Sequence, residues 1–534
     1  MHRVADYVVV GAGSAGCIVA RRLADTGASV LLIEAGRRDN TKLVRKPGMI
    51  GPLHSVPQLK KTVDWGHYTT PQAGALGRRI PQTHGKVVGG SSSINGMVFV
   101  RGNRQNFDDW AAEGNTGWSF TDVLPSFKRF ECFEDGDSNY RGGTGPIKIT
   151  RAKNLTPASQ SFLEAFTATA GVKPLDDYNA ESQEGVSLFQ QSNADGLRYS
   201  AAVGYLDDRD ANLTVLPKTQ VARVVIENGR ATGVEVLNRT GREVIRARRE
   251  VIVSAGVFGS PQLLMLSGIG PADHLRGNGL DVLADLPVGE NLHDHLFVPM
   301  TFAMPTGVHR PNPFYFGNAW IRERFRSGST WLARSVFEVV AFVRTPQARE
   351  IPDLQLHVLP WSYPSPNQDA PIRHKPDPRR ALTVMSTLIY PKSRGTLRLA
   401  SGDPTAAPLI DPNYLAEQSD VDVLVDGMEL IRETMSAATI CDGVQGEIAP
   451  GPAFPNRAAL AREVRNRATT VYHPVGTCRM GVDERAVVDP TLRVRGVDGL
   501  RVADASIMPS IVGGNTNAAS MMIGERCAEL ITQN

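Results

Sequence analysis

Apolar and polar positions follow different rhythms along the chain. Tyr7 to Val10 is an unbroken β-branched run, the pattern of a strand covered on both faces. Helical spacing takes over from about Ala15 to Asp25, and Ser29 to Ile33 returns to a strand. Residues 213 to 254 hold a second concentration of β-rich segments, LTVL, ARVVIE, TGVEVLN and REVIVSAG, and Asn228-Gly229 is their clearest hairpin turn. Val251 to Ser254 predicts another central strand, leading past Ser260-Pro261 into a helix, Gln262 to Leu266. From about Phe302 to Leu399 the character changes. Aromatic stretches (PFYFGNAW, LPWSYP) and a proline-rich loop, PSPNQDAPIRHKPDP, suit a lid or wall, while VFEVVAFVRT and LQLHVLP predict strands of a further sheet. A last helix is predicted over Ala518 to Ile531, after the Gly513-Gly514 turn. No internal repeat is visible.

The first strand runs into Gly11, Gly13 and Gly16 at GxGxxG spacing. Gly11 would allow a tight turn, Gly13 the approach of a pyrophosphate, and Gly16 close packing of helix on strand. Phosphates would sit at the helix N-terminus, near Ser14 and Ala15. The second strand ends in Glu34, followed by Ala35, and Glu34 lies 18 residues beyond Gly16, where an acceptor for ribose hydroxyls is needed. A carboxylate there argues against a 2′-phosphate. A glycine-rich turn in a cofactor-free α/β protein would show the same three glycines. The strand, helix, second strand and terminal acid in register favour a dinucleotide.

A chain of 534 residues exceeds the roughly 250 to 300 at which one core stops growing, so two lobes are expected. With 41% hydrophobic and 21% charged residues the balance is that of a globular protein. A net charge of +3 is too small to indicate nucleic acid, and the pairs Arg248-Arg249 and Arg379-Arg380 fit solvated faces. No stretch has the length and apolarity of a membrane span. The chain enters its first strand within a few residues, without the pattern of a secretion signal, so a cytoplasmic location is expected. Five cysteines without CxxC spacing suggest neither a disulfide framework nor a zinc site.

Asp64 to Asn103 is rich in Gly, Ser and Pro and reads as loop. Gly85, Gly89, Gly90 and Ser91 to Ser93 offer N–H groups and hydroxyls to a polar cofactor, or form a plain surface loop. Within it, GKVVGGSSSINGMVFVRG resembles the first signature of the glucose-methanol-choline (GMC) oxidoreductase family, FAD enzymes that oxidise alcohols. SAGVFGSPQLLMLSGIGP (254–271) resembles the second signature and VGENLHDH (288–295) the segment after it. YHPVGTCRMG (472–481) and 502–531 resemble the C-terminal region. The resemblance implies an α/β (α+β overall) fold. A discontinuous Rossmann-like FAD-binding domain (1–150, 196–300, 466–534) would accompany a sheet-and-helix substrate domain of GMC type (151–195, 301–465).

Oxidising an alcohol on a flavin requires a base for the hydroxyl proton and hydride passage to flavin N5. Neutral imidazole suits the base. Of eleven histidines, His473 is marked by Pro474, which favours an extended loop edge. A histidine taken blindly is more often structural. The resemblance makes His473 the catalytic base and Asn517, 44 residues later, its partner at the substrate hydroxyl. Asn517 is equally a good helix N-cap. The start of that last helix would stabilise negative charge on the flavin.

For FAD the resemblance implies Gly11, Gly13, Ser14, Ala15, Gly16, Glu34, Ala35, Val88, Gly90, Asn95, Gly96, Met97, Val98, Val221, Ala255, Asp504, Ala505 and Thr516. Ile94 stands where some members attach the flavin to a histidine, so non-covalent FAD is expected, with His84 as an alternative attachment point. Val471 and Tyr472 are implied near the substrate. Glu338 would recognise a cationic substrate (an amino alcohol, choline-like or an amino sugar) or be merely structural. His293 and His295 lack a third metal ligand and read as structural.

The expected reaction takes a primary alcohol to the aldehyde, with oxygen (giving hydrogen peroxide) or another electron acceptor. A hydroxynitrile-lyase-like enzyme with non-redox FAD is the alternative.

Overall fold

The computed structural model describes residues 4–206, 212–238, 241–309, 313–325, 330–348, 350–363, 379–440 and 443–533. The proline-rich segment 364–378, expected as part of a lid, lies outside the described residues, as does Cys441. The four described cysteines are free, no group of them with His, Asp or Glu could hold a metal, and no described helix is long and apolar enough to cross a membrane.

Two seven-stranded sheets organise the chain. The first contains β1 (Val4–Val10), β2 (Val30–Ile33), β3 (Leu213–Leu216), β4 (Gln220–Glu227), β5 (Arg230–Asn238) and β6 (Gly241–Val253), in the order β3-β2-β1-β6-β5-β4, with Leu500–Val502 pairing β6. β1, β2, β3, Leu500–Val502 and the C-terminal half of β6 are mutually parallel, whereas β4 and β5 turn back as an antiparallel ribbon. The central stretches of the parallel part, Tyr7–Val10, Val30–Ile33 and Val251–Val253, are apolar and buried because helices cover them. α1 (Ser14–Asp25) and the C-terminal helix (Asn517–Thr532) pack together there, joined by the Arg22–Glu525 ion pair at 2.8 Å. The Asn228-Gly229 turn forms as expected, with both residues at positive φ. The predicted helix after Ser260 begins earlier, at Gly256.

The second sheet is antiparallel: Gly446–Ala449, β7 (Leu296–Ala303), β10 (Ala381–Leu388), β9 (Leu354–Leu359), β8 (Val339–Val343) and Gly185–Leu188, with Thr469–Thr470 pairing the start of β7. Every residue of β8, β9 and β10 is buried, so polarity does not distinguish the faces and the period of two sorts them by partner. Leu296, Val298, Leu354, Leu356, Val358, Leu382 and Val384 pack against α2 (Pro157–Ala170) and α3 (Gln418–Met435). Phe297, His357, Leu359 and Met385 point the other way, into the space between the sheets.

Candidate active site

A cavity of about 1370 Å³ fills that space. Ligand pockets commonly run from about 300 to 1,000 Å³, so this one has room for a dinucleotide and a substrate together. It opens over the carboxyl ends of the parallel strands, lined by Gly11 after β1, Glu34 after β2, Ser254 and Ala255 after β6, Asp504 after Leu500–Val502, and Thr219 beyond β3. In α/β sheets ligands bind at this edge.

The glycine turn is built for close approach. Gly11 has φ +97°, and a Cβ there would lie 2.4 Å from the Ser254 carbonyl oxygen; one on Gly16 would lie 1.9 Å from that of Gly11. Glu34 is buried, and its carboxylate accepts the N–H groups of Ala12 (3.0 Å) and Gly36 (2.7 Å), while burial pushes it up to about 7. The Asp504 carboxylate accepts from Gly256 N–H (2.9 Å), Ser506 N–H (2.8 Å) and the Ser260 hydroxyl (2.5 Å), and lines the cavity. Ser14, Ala15, Ala35, Gly90, Asn95, Gly96, Val98, Val221, Ala505, Thr516 and Asn517 also reach it. Gly16, Val88 and Met97 do not line it; Val88 and Met97 are buried behind the wall. Arg198, which sequence reasoning missed, is buried without a carboxylate partner among its described contacts and donates to Asn95 Oδ1 at 2.7 Å, fixing that amide.

His473 lies where the strand-end region meets the second sheet. Tyr472 before it adopts φ +65°, a region that costs a bulky residue about 1–3 kcal/mol. Asp294 holds this strained turn. Its buried carboxylate accepts from the His473 N–H (2.9 Å), the Thr470 hydroxyl (2.5 Å) and the Tyr414 hydroxyl. His293 completes the support by accepting the Ile511 N–H at 3.0 Å, which pins the chain just before Asn515. The tripeptide His293-Asp294-His295 is therefore the scaffold of the site. Its sequence signal was three consecutive polar residues, all at most 2% exposed here.

Asn515, not Asn517, is the residue beside the histidine. Its Nδ2 lies 3.1 Å from His473 Nε2, whereas the Asn517 Oδ1 accepts from the Ser14 hydroxyl at 2.7 Å. The cause is local. Thr516 is the N-cap and Asn517 the first residue of the helix, so Asn517 turns toward α1 while Asn515, still in the loop, faces the cavity. Asn517 thus joins two helix N-termini at the cofactor end.

Of its two readings, Glu338 takes the structural one. It is absent from the cavity wall; its carboxylate accepts the Thr156 N–H (3.0 Å) and hydroxyl (2.8 Å) at the N-terminus of α2. An anion is stabilised at a helix start, which accounts for the residue without a ligand.

The wall around His473 is formed instead by Val471, Tyr472, Phe297, Phe337, Leu359, Trp361, Tyr363 and Met385. The Thr383 hydroxyl secures the LPWSYP segment, accepting from Tyr363 N–H (3.0 Å) and donating to the Trp361 carbonyl (2.7 Å). By contrast Phe314 of the other aromatic stretch is 90% exposed on the helix Pro313–Phe325. Ile94 is buried, and His84 lies in the wall with its ring 4.5 Å from that of Phe258.

The chain is similar to known proteins over nearly its whole length. The N-terminal GMC oxidoreductase model matches residues 5–297 and the C-terminal one residues 391–524. An oxygen-dependent choline dehydrogenase from Rhizobium johnstonii is 40% identical over 99% of this chain and 95% of its own. Among solved structures, pyridoxine 4-oxidase from Mesorbium loti superposes with a TM-score of 0.87 at 30% identity, covering 99% of each chain. A formate oxidase from Aspergillus oryzae RIB40 gives 0.90 at 27% identity, over 99% of this chain and 98% of that one.

Proposed function

The chain belongs to the GMC oxidoreductase family of FAD-dependent enzymes acting on CH–OH groups, and from that premise we propose that it oxidises an uncharged primary alcohol bearing an aromatic or bulky apolar group to the aldehyde. His473 takes the hydroxyl proton, and Asn515 orients the hydroxyl through its amide. FAD, when bound, supplies the two-electron acceptor, with oxygen or another electron acceptor restoring it.

The groups to hold FAD are present along the cavity. Val221, through its backbone, would meet the adenine and Glu34 the adjacent ribose. The N–H groups after Gly11, with Gly13 and Ser14, would take the pyrophosphate, and Asp504 and Ala505 the ribityl chain. Asn95, Gly96, Val98 and Thr516 would flank the ring, with the partial positive charge of the C-terminal helix start behind it. With Ile94 at the attachment position we assign non-covalent FAD; acid precipitation should release the yellow colour, and colour retained in the pellet would point to His84.

The observation that carries the reaction is the half-buried His473 in the cavity wall, with Asn515 against its Nε2. The observation that carries the substrate class is the aromatic and aliphatic wall beside it. Glu338, the carboxylate on which an amino-alcohol substrate rested, is committed to Thr156. Choline remains the specific competitor, because of the 40% identical relative and because Trp331 and Trp361, 5.1 Å apart in the wall, could face a quaternary ammonium.

Anaerobic mixing of the purified flavoprotein with benzyl alcohol, choline and the uncharged choline analogue 3,3-dimethylbutan-1-ol separates the readings. Bleaching by benzyl alcohol at least tenfold more efficient than by choline is expected. A preference for choline over the uncharged analogue would reverse the substrate assignment. Absence of bleaching by any alcohol, with cyanohydrin cleavage, would replace oxidation by the lyase reaction.

A further inference from the structure

His295 is fully buried behind His473, outside the cavity wall, and its Nδ1 lies 3.1 Å from the Nδ1 of His473, with the rings edge to face at 89°. Two neutral imidazoles touching in this way share one proton, so one nitrogen donates and the other accepts. The far side of His295 decides which. Its Nε2 lies 2.9 Å from the Ile389 carbonyl oxygen, and a carbonyl can only accept. Nε2 of His295 therefore carries the hydrogen and Nδ1 the lone pair. His473 must then donate from Nδ1, which leaves its own Nε2 unprotonated.

The opposite flank agrees. Gln355 Nε2 donates to Asn515 Oδ1 at 3.3 Å, which turns the Asn515 NH₂ toward His473 Nε2 at 3.1 Å. A donor meets an acceptor there only if that nitrogen has no hydrogen. From Gln355 through Asn515, His473 and His295 to the Ile389 carbonyl, every bond points the same way. Burial keeps both rings neutral, pushing His295 down to about 3 and His473 well below the ordinary histidine value.

We infer that His295 is a positioning residue that fixes the tautomer of His473, keeping Nε2 unprotonated so that the alcohol hydroxyl, on displacing the Asn515 NH₂ from it, meets a lone pair. The inference rests on His473 being the base. When the hydroxyl proton arrives at Nε2, His473 becomes an imidazolium, and its Nδ1–H bond to the neutral His295 strengthens, as bonds from charged donors do. His295 itself never exchanges a proton with the substrate.

Neutron diffraction from the deuterated holoenzyme reads the tautomer without activity. A deuteron between the two Nδ1 atoms and none on His473 Nε2 is expected; a deuteron on Nε2 with a bare Nδ1 overturns the inference. Kinetics supply the second reading. His295→Leu removes the acceptor, while His295→Asn places an amide oxygen near the former Nδ1 and keeps it. With flavin content matched to wild type, the leucine variant should slow anaerobic flavin reduction by roughly 10- to 100-fold, the scale of a mispositioned base. The asparagine variant should return to within a few-fold of wild type. A leucine variant at the wild-type rate, or an asparagine variant as slow as the leucine one, overturns it. Should the leucine variant not fold, the deuteron position and the asparagine variant decide. His473→Ala is the separate control: reduction surviving in that variant removes the base assignment itself, whatever the tautomer.

Discussion

At one end of the cavity the wall is mostly main chain and small residues: Gly11, Gly13, Gly90, Gly96, Ala255 and Ala505 at strand ends and turns. At the other it is large side chains from the second sheet and the loops above it: Phe297, Leu359, Trp361, Tyr363 and Met385. The first end must admit a polar cofactor to backbone N–H groups, and at Gly11 and Gly90 a single added methyl would collide with main-chain atoms, 2.4 Å from the Ser254 oxygen and 2.8 Å from the Gly13 Cα. The second must exclude water around a neutral imidazole and match one substrate's shape, so its residues can change while the sheet remains.

The largest effect should come from the main-chain end. Gly16→Ala would place a methyl 1.9 Å from the Gly11 carbonyl oxygen. The purified variant should hold less than about a tenth of the wild-type flavin, read as absorbance near 450 nm per chain, because the clash displaces the turn itself. A fully yellow variant would mean that this end tolerates side-chain change as the other does.

Next is a pair of substitutions across the boundary. Asn515→Ala should keep its flavin and reduce it roughly 10- to 100-fold more slowly, the cost of losing an orienting hydrogen bond at the reacting centre. Asn517→Ala should lose flavin more readily and, once saturated with FAD, reduce at close to the wild-type rate. The reverse pattern would return the partner role to Asn517.

A smaller effect is expected from the substrate wall. Phe297→Ala should lower kcat/KM for aromatic alcohols by roughly tenfold, the scale of one lost apolar contact surface, and leave flavin content unchanged. Loss of flavin in this variant would show the two ends to be one energetic unit.

The smallest signal is in pH. Burial holds His473 well below 6.5, so the base is already neutral at neutral pH and is lost only as acid protonates it. The flavin-reduction rate should be flat upward from about 6.5, the ordinary histidine value, and fall only at pH well below it. An acid limb centred above 7 would mean a wetter or more anionic substrate end than the geometry gives.

How much of this was legible in the sequence follows the same division. The βαβ unit, the Asn228-Gly229 hairpin, Glu34 and His473 rest on local pattern, turn chemistry or motif; the structure forms the first two and sets Glu34 and His473 in the cavity wall. Asn517 was chosen by counting residues from His473. Two asparagines separated by one threonine look alike in sequence, but one precedes the helix cap and the other follows it, so only geometry separates them. Glu338 sat in a strand of suitable composition, and its true partner, Thr156, is 182 positions away. His295 read as structural because its contact with His473 spans 178 positions and depends on which ring nitrogens face each other. Such pairings arise from two distant loops meeting over a sheet edge, and no local periodicity encodes them.

The most direct test of the central claim compares wild type with His473→Ala, both purified with equal bound FAD and mixed anaerobically with an excess of an alcohol that bleaches the wild type. The variant should retain its flavin and reduce it at least about 100-fold more slowly, the lower end of what a positioned general base contributes. Bleaching at the wild-type rate would contradict the account.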